Sequence, residues 1–176
     1  MSYYHSDWKI DDAVREGDLA TVRASLAAGP DGPWDDEPAL VQALKFAVFK
    51  HRLDIARLLI AEMKRRGFTF YPAMRDGLLG MAVRHEDMLE QLLADGIEPN
   101  KTQWSPALCA AVKEDRRGAA LTLLRAGAHA GHVGGADGNQ RLVAWLQEEV
   151  QELRLTVQSF RASIPALLQW GGPTQM

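Results

Sequence analysis

Residues 47–59 read Ala47-Val48-Phe49-Lys50-His51-Arg52-Leu53-Asp54-Ile55-Ala56-Arg57-Leu58-Leu59. Phe46, Ala47 and Val48 give one short apolar helix, His51-Arg52 marks a turn, and Ile55, Ala56, Leu58 and Leu59 give a second helix. The opening recurs at Ala13-Val14, Ala82-Val83 and Ala111-Val112, so four blocks start at positions 13, 47, 82 and 111. A second marker, Pro38-Ala39-Leu40, Pro72-Ala73-Met74 and Pro106-Ala107-Leu108, returns at the even spacing of positions 38, 72 and 106. A period of roughly 30–35 residues predicts stacked supersecondary units rather than one closed core. Such stacks offer extended recognition surfaces more often than catalytic pockets.

The punctuation fits helix pairs. Gly29, Gly67, Gly96 and Gly127 follow the second helix of each block, where a helix ends in a left-handed residue. Pro38, Pro72 and Pro106 then restart a helix, because the first turn does not need the missing N–H.

The stretch Leu92-Leu93-Ala94-Asp95-Gly96-Ile97-Glu98-Pro99-Asn100 resembles the ankyrin repeat's Leu-Leu-x-x-Gly-Ala-Asp-x-Asn, as do Leu123-Leu124-Arg125-Ala126-Gly127-Ala128 and Glu16-Gly17-Asp18-Leu19. No block carries the family's Thr-Pro-Leu-His, and the third turn, at Glu86-Asp87, is about two residues short. The resemblance implies an all-α, ankyrin-like helical solenoid of stacked helix pairs with projecting turns and a long C-terminal capping helix. It divides residues 1–130 into repeats at approximately 10–33, 34–70, 71–103 and 104–130, followed by a glycine-rich linker at 131–138 and a helical cap at 139–176.

In that last region Leu146, Val150, Leu153, Val157, Phe160, Ile164 and Leu167 follow alternating steps of four and three. Asp137 or Asn139 is the expected N-cap, and Pro165 is expected to end or kink the helix. A cap should bury Leu153, Val157 and Phe160 on the last repeat; a homodimer or partner-binding helix is the alternative reading.

Composition narrows the function. The net charge of −3 gives no global basic field for nucleic acid. Charge is unevenly spread, at −6 over residues 1–40 and +6 over 41–84, a layout able to orient a charged partner. Cys109 is the only cysteine, which excludes an intrachain disulfide. No secretory signal and no membrane span is read, so a cytoplasmic protein with no membrane partner is expected.

No catalytic set, cofactor motif or metal site emerges. His129 and His132 have helical metal spacing but lie among glycines, with Asp137 the nearest carboxylate. His51 and His85 sit one repeat period apart in near-equivalent turns, which places them in neighbouring layers. The expected partner-binding residues fall in two groups. Trp34, Asp35, Asp36, Phe68, Phe70, Tyr71 and Trp104 occupy the turn tips, where large aromatics suit an interface. Phe49, Lys50, Arg84, His85 and Lys113 follow the Ala-Val pairs, at positions that the resemblance implies are the variable recognition positions. One protein partner is therefore expected: a toxin or effector domain, if the chain is a bacterial immunity protein. The alternatives are an adaptor or secreted effector that binds a host protein, and a metal-dependent enzyme or regulator using His129, His132 and Asp137.

Overall fold

The computed structural model describes residues 8–27, 37–101, 105–130 and 135–168. Every regular element among them is an α-helix: α1 (Trp8–Glu16), α2 (Leu19–Ala27), α3 (Glu37–Phe49), α4 (Leu53–Arg65), α5 (Pro72–Ala82), α6 (Glu86–Ala94), α7 (Pro106–Lys113), α8 (Arg117–Arg125) and α9 (Gly135–Leu168). The fold class is all-α. No described helix is long and apolar enough to cross a membrane.

The helices pair in chain order, α1 with α2, α3 with α4, α5 with α6 and α7 with α8. Each pair lies on the next: α1, α3, α5 and α7 touch in sequence, as do α2, α4, α6 and α8. Helix α9 closes the first row against α7.

The Ala-Val pairs explain the close approach of that first row. Ala13, Val14, Ala47, Val48, Ala82, Val83, Ala111 and Val112 are all buried, none more than 5% exposed. An alanine leaves room for the facing backbone, and the adjoining valine fills what remains. Large core side chains come from both rows: Leu40, Leu44, Leu78, Leu79 and Leu108 from the first, and Ile55, Leu59, Met63, Met88, Leu89 and Leu92 from the second.

Each described end of a second-row helix is closed in the same way. After α4, the Gly67 N–H donates to the Lys64 carbonyl and the Phe68 N–H to Met63; Gly96-Ile97 and Gly127-Ala128 repeat both bonds. Gly67 takes φ +79°, which glycine reaches without a Cβ clash. Gly29 lies outside the described residues.

The turns inside the pairs use another device. His51 and Asp115 sit at φ 55° and 58°. Histidine and aspartate are among the few side-chain-bearing residues enriched in this left-handed region. Asp18 begins α2 by accepting the Thr21 N–H at 3.0 Å, and Ser105 begins α7 by accepting from Leu108 N–H at 3.4 Å. The third pair differs: α6 begins four residues after Ala82, whereas α2, α4 and α8 begin six after their alanines. His85 stands directly before α6 in extended backbone, φ −132°.

Helix α9 departs from three expectations. It starts at Gly135, so Asp137 and Asn139 lie inside it and neither is its N-cap. Of the two outcomes expected at Pro165, an end or a kink, the end is not found, since the helix continues to Leu168. The stripe at Leu146, Val150 and Leu153 does not pack on the last pair, and Leu153 is 58% exposed. The face that docks is another one. Leu142 is buried, Trp145 packs against the core, and Arg117 and Arg125 hold Glu148 and Glu149. The Val157 and Phe160 side chains lie outside the described residues.

Candidate functional site

The residues that follow the Ala-Val pairs share one edge of the molecule, at the turns from the first row to the second. Arg15, Glu16, Phe49, Lys50, Arg84 and Lys113 are exposed there, and His85 and Glu114 are half-exposed. Phe49 is the most exposed large apolar side chain of this edge at 61%. Lys50 Nζ stands 5.4 Å from the centre of its ring, a cation–π arrangement that holds both side chains at the surface. Arg15 takes a similar position over Phe46, at 5.6 Å.

Polar contacts stitch this edge from pair to pair. The Arg52 Nη2–H donates to the Arg15 carbonyl at 3.0 Å. His51 Nε2 lies 2.8 Å from both carboxylate oxygens of Asp87. An ionised carboxylate only accepts, so Nε2 carries the hydrogen. The His51 and His85 rings stack, with centroids 4.2 Å apart and planes 9° from parallel. Arg84 grips Glu114 with Nε at 2.7 Å and Nη2 at 2.9 Å, a two-point geometry favoured between guanidinium and carboxylate. Arg141 of α9 continues the seam by donating to the Val112 carbonyl at 3.1 Å.

Ionisation follows these contacts. The Arg84 hydrogen bond holds the Glu114 carboxyl below its ordinary value. Partial desolvation pushes Asp87 up, but the His51 and Met88 hydrogen bonds outweigh it and the carboxyl lies below its ordinary value.

The aromatic turn-tip residues are elsewhere. Phe68 and Phe70 are half-buried against the core, and Tyr71, 50% exposed, precedes α5. They lie at the opposite ends of the helices, about 20 Å from the stitched edge for a helix as long as α4. Two ties at that end link neighbouring pairs: Lys64 donates to the Asp95 carbonyl, and the His129 N–H donates to the Asn100 carbonyl at 2.9 Å. Asp76 is buried beside them and accepts the Asn100 N–H at 3.4 Å. Burial pushes its carboxyl above the usual range, against the opposing pull of that N–H and Arg75. Trp34, Asp35, Asp36, Trp104 and His132 lie outside the described residues.

Phe49, Lys50, Arg84, His85 and Lys113 thus come together on one edge, and Phe68, Phe70 and Tyr71 do not join them. Sequence reading missed Asp87 and Glu114 as the partners of His51 and Arg84. Their separations of 36 and 30 residues straddle the repeat period, which was the available signal. Cys109 is half-buried, packed against the core. Among the described residues, no three His, Cys, Asp or Glu side chains converge as a metal site. No protein-family model, curated protein or solved structure matches the chain.

Proposed function

We propose that the chain is an ankyrin-like solenoid that acts without catalysis, recognising one protein partner through the stitched edge. The observation that carries this reading is the exposed Phe49, set beside Lys50 and followed on successive turns by Arg84 and Lys113. An exposed aromatic supplies an anchor for an interface. The cations around it favour an acidic surface on the partner, and they act chiefly on encounter rate and orientation. The pair-by-pair contacts along both helix rows support the solenoid reading. The narrower proposal is a cytoplasmic immunity protein whose partner is a toxin domain encoded next to it.

The test is affinity capture of the partner from the native cell, followed by binding measurements with variants whose helicity is first checked. Phe49→Ala should weaken binding about thirtyfold, the effect of losing an anchor worth about 2 kcal/mol. Lys50→Glu and Lys113→Glu should slow association and remove most of its salt dependence. If all three variants bind like the parent while Tyr71→Ala abolishes binding, the recognition surface is the other end of the helices.

A further inference from the structure

Helix α9 carries a second surface that the stack leaves open. Val143, Leu146, Val150 and Leu153 are 52%, 38%, 47% and 58% exposed. Val143, Leu146 and Val150 border an open groove along the helix together with Gln147, Gln151 and Arg154, and Leu153 continues the stripe beyond it. This face is separate from the one that docks on the fourth pair through Leu142 and Trp145.

We propose that this stripe is a homodimer interface, in which two copies of the chain pair through α9 as a parallel, two-stranded coiled coil. The spacing points to a helix as occupant. From Val143 the apolar positions run 143, 146, 150, 153, 157, 160, 164 and 167, in strict alternation of three and four. A straight helix drifts about 20° per heptad from such a pattern, so a flat protein surface would lose contact along its length. A second helix that supercoils around the first keeps contact throughout.

The residue types point to two parallel strands. The first position of each heptad is β-branched in every case: Val143, Val150, Val157 and Ile164. The fourth is leucine at Leu146, Leu153 and Leu167, with Phe160 the exception. β-branched residues at the first core position with leucine at the second favour parallel dimers over larger bundles. Pro165 occupies the position directly after Ile164, on the outer side of such a pair, and α9 runs through it.

Charge complementarity points to a second copy. Glu149 precedes the core residue Val150, and Arg154 follows the core residue Leu153. In a parallel pair these flanking positions meet across the seam, giving one Glu149–Arg154 pair on each side by symmetry. Glu149 already binds Arg125 of its own chain through Oε1, with Arg117 4.0 Å from Oε2, so the partner's arginine would join these cations around one carboxylate. In an antiparallel pair Arg154 and Arg161 would share one edge with the same edge of the partner, which sets like charges together.

Analytical ultracentrifugation of the full chain, from micromolar to about a hundred micromolar, tests the proposal. A monomer–dimer equilibrium is expected. Leu153→Asp should abolish dimerisation with the helical circular dichroism of the repeats retained, and Arg154→Glu, which leaves the core intact, should weaken it at least severalfold. Leu153→Cys in a Cys109→Ser background should form an interchain disulfide in a glutathione buffer if the helices are parallel and in register. A wild-type monomer across this range overturns the proposal. So does a dimer indifferent to Leu153→Asp and Arg154→Glu, a trimer or tetramer, or the absence of the disulfide in a dimeric Leu153→Cys protein.

Discussion

His51 and His85 lie ring on ring, 4.2 Å between centroids, although a full repeat of chain separates them. The stack joins the turn of the second pair to the turn of the third, and Asp87 fixes the His51 ring from the side. Removing either ring should therefore diminish the value of the other. His51→Asn keeps a residue that tolerates φ 55°, and His85→Ala removes the second ring. Urea unfolding of both single variants and the double should give a coupling of about 0.5–1 kcal/mol. Strict additivity would show that the rings are neighbours without energetic contact.

Acid should weaken the fold through Glu62. Its carboxylate accepts from Arg65 at 2.8 and 2.6 Å and from Arg66 at 2.6 Å. The Arg65 hydrogen bonds lead in depressing its pKa to about 2, against opposing desolvation. The folded value lies below the unfolded one, so the contribution is complete above about pH 4.5 and disappears as pH falls through about 2. Glu62→Gln should cost about 1–2 kcal/mol at neutral pH, the worth of a charge-assisted hydrogen bond. The variant's stability should also fall less steeply than the parent's between pH 4.5 and 2, measured by denaturant titration.

Small residues in the first row are required for the stacking distance. Ala47 and Ala111 are fully buried, and replacing either with leucine forces neighbouring helices apart. Each substitution should cost about 1–3 kcal/mol by overpacking. Differential scanning calorimetry reads this as a lower Tm, and an unchanged Tm would contradict the packing described for Ala47 and Ala111.

Two glycines separate strain from crowding. A Cβ at Gly67 would touch nothing within 4 Å, but the backbone there has φ +79°. Gly67→Ala should therefore cost about 1 kcal/mol. A Cβ at Gly118 would run into the Glu86 carboxylate, in ordinary helical backbone. Glu86 is exposed and can swing away, so Gly118→Ala should be neutral or stabilise by up to about 0.5 kcal/mol. Chemical denaturation of the two variants should show opposite signs or a clear difference in size.

The base of α9 should matter to the stack. Leu142 is 4% exposed and packs with the core. Leu142→Ala should destabilise the chain by about 2–3 kcal/mol, in the range of leucine truncation at a buried site. A thermal melt unaffected by Leu142→Ala would mean that α9 does not cover the fourth pair.

The helices were legible because their signals are local. The Ala-Val pairs, the C-terminal glycines and the restarting prolines each act within a turn or two of chain, and Ala47, Gly67 and Pro72 stand where such reasoning puts them. The shortened third turn was legible too, since Glu86 follows Ala82 too closely for the usual spacing. The docking of α9 was not. The stronger apolar pattern, through Val150 and Leu153, faces outward, while the weaker set of Leu142 and Trp145 faces the core. Periodicity reports that a face is apolar and carries no information on what covers it. The ion pairs of the edge were hidden for a related reason. Arg84–Glu114 and His51–Asp87 depend on how two pairs align side by side, and that register is set by packing over the whole interface.

The brevity of the turn between Ala82 and Glu86 bears on the recognition proposed for the edge. A perfectly regular row presents the same neighbours at every step, like a ruler without a zero, and a bound surface could slide by one unit and find much the same contacts. Here the third step is shorter, and it puts His85 directly before its helix, where the second and fourth pairs carry Arg52 and Arg116, with its ring stacked on His51. The stacked imidazoles with their carboxylate consequently mark an origin on the edge. A partner that fits around that landmark has one frame in which to settle.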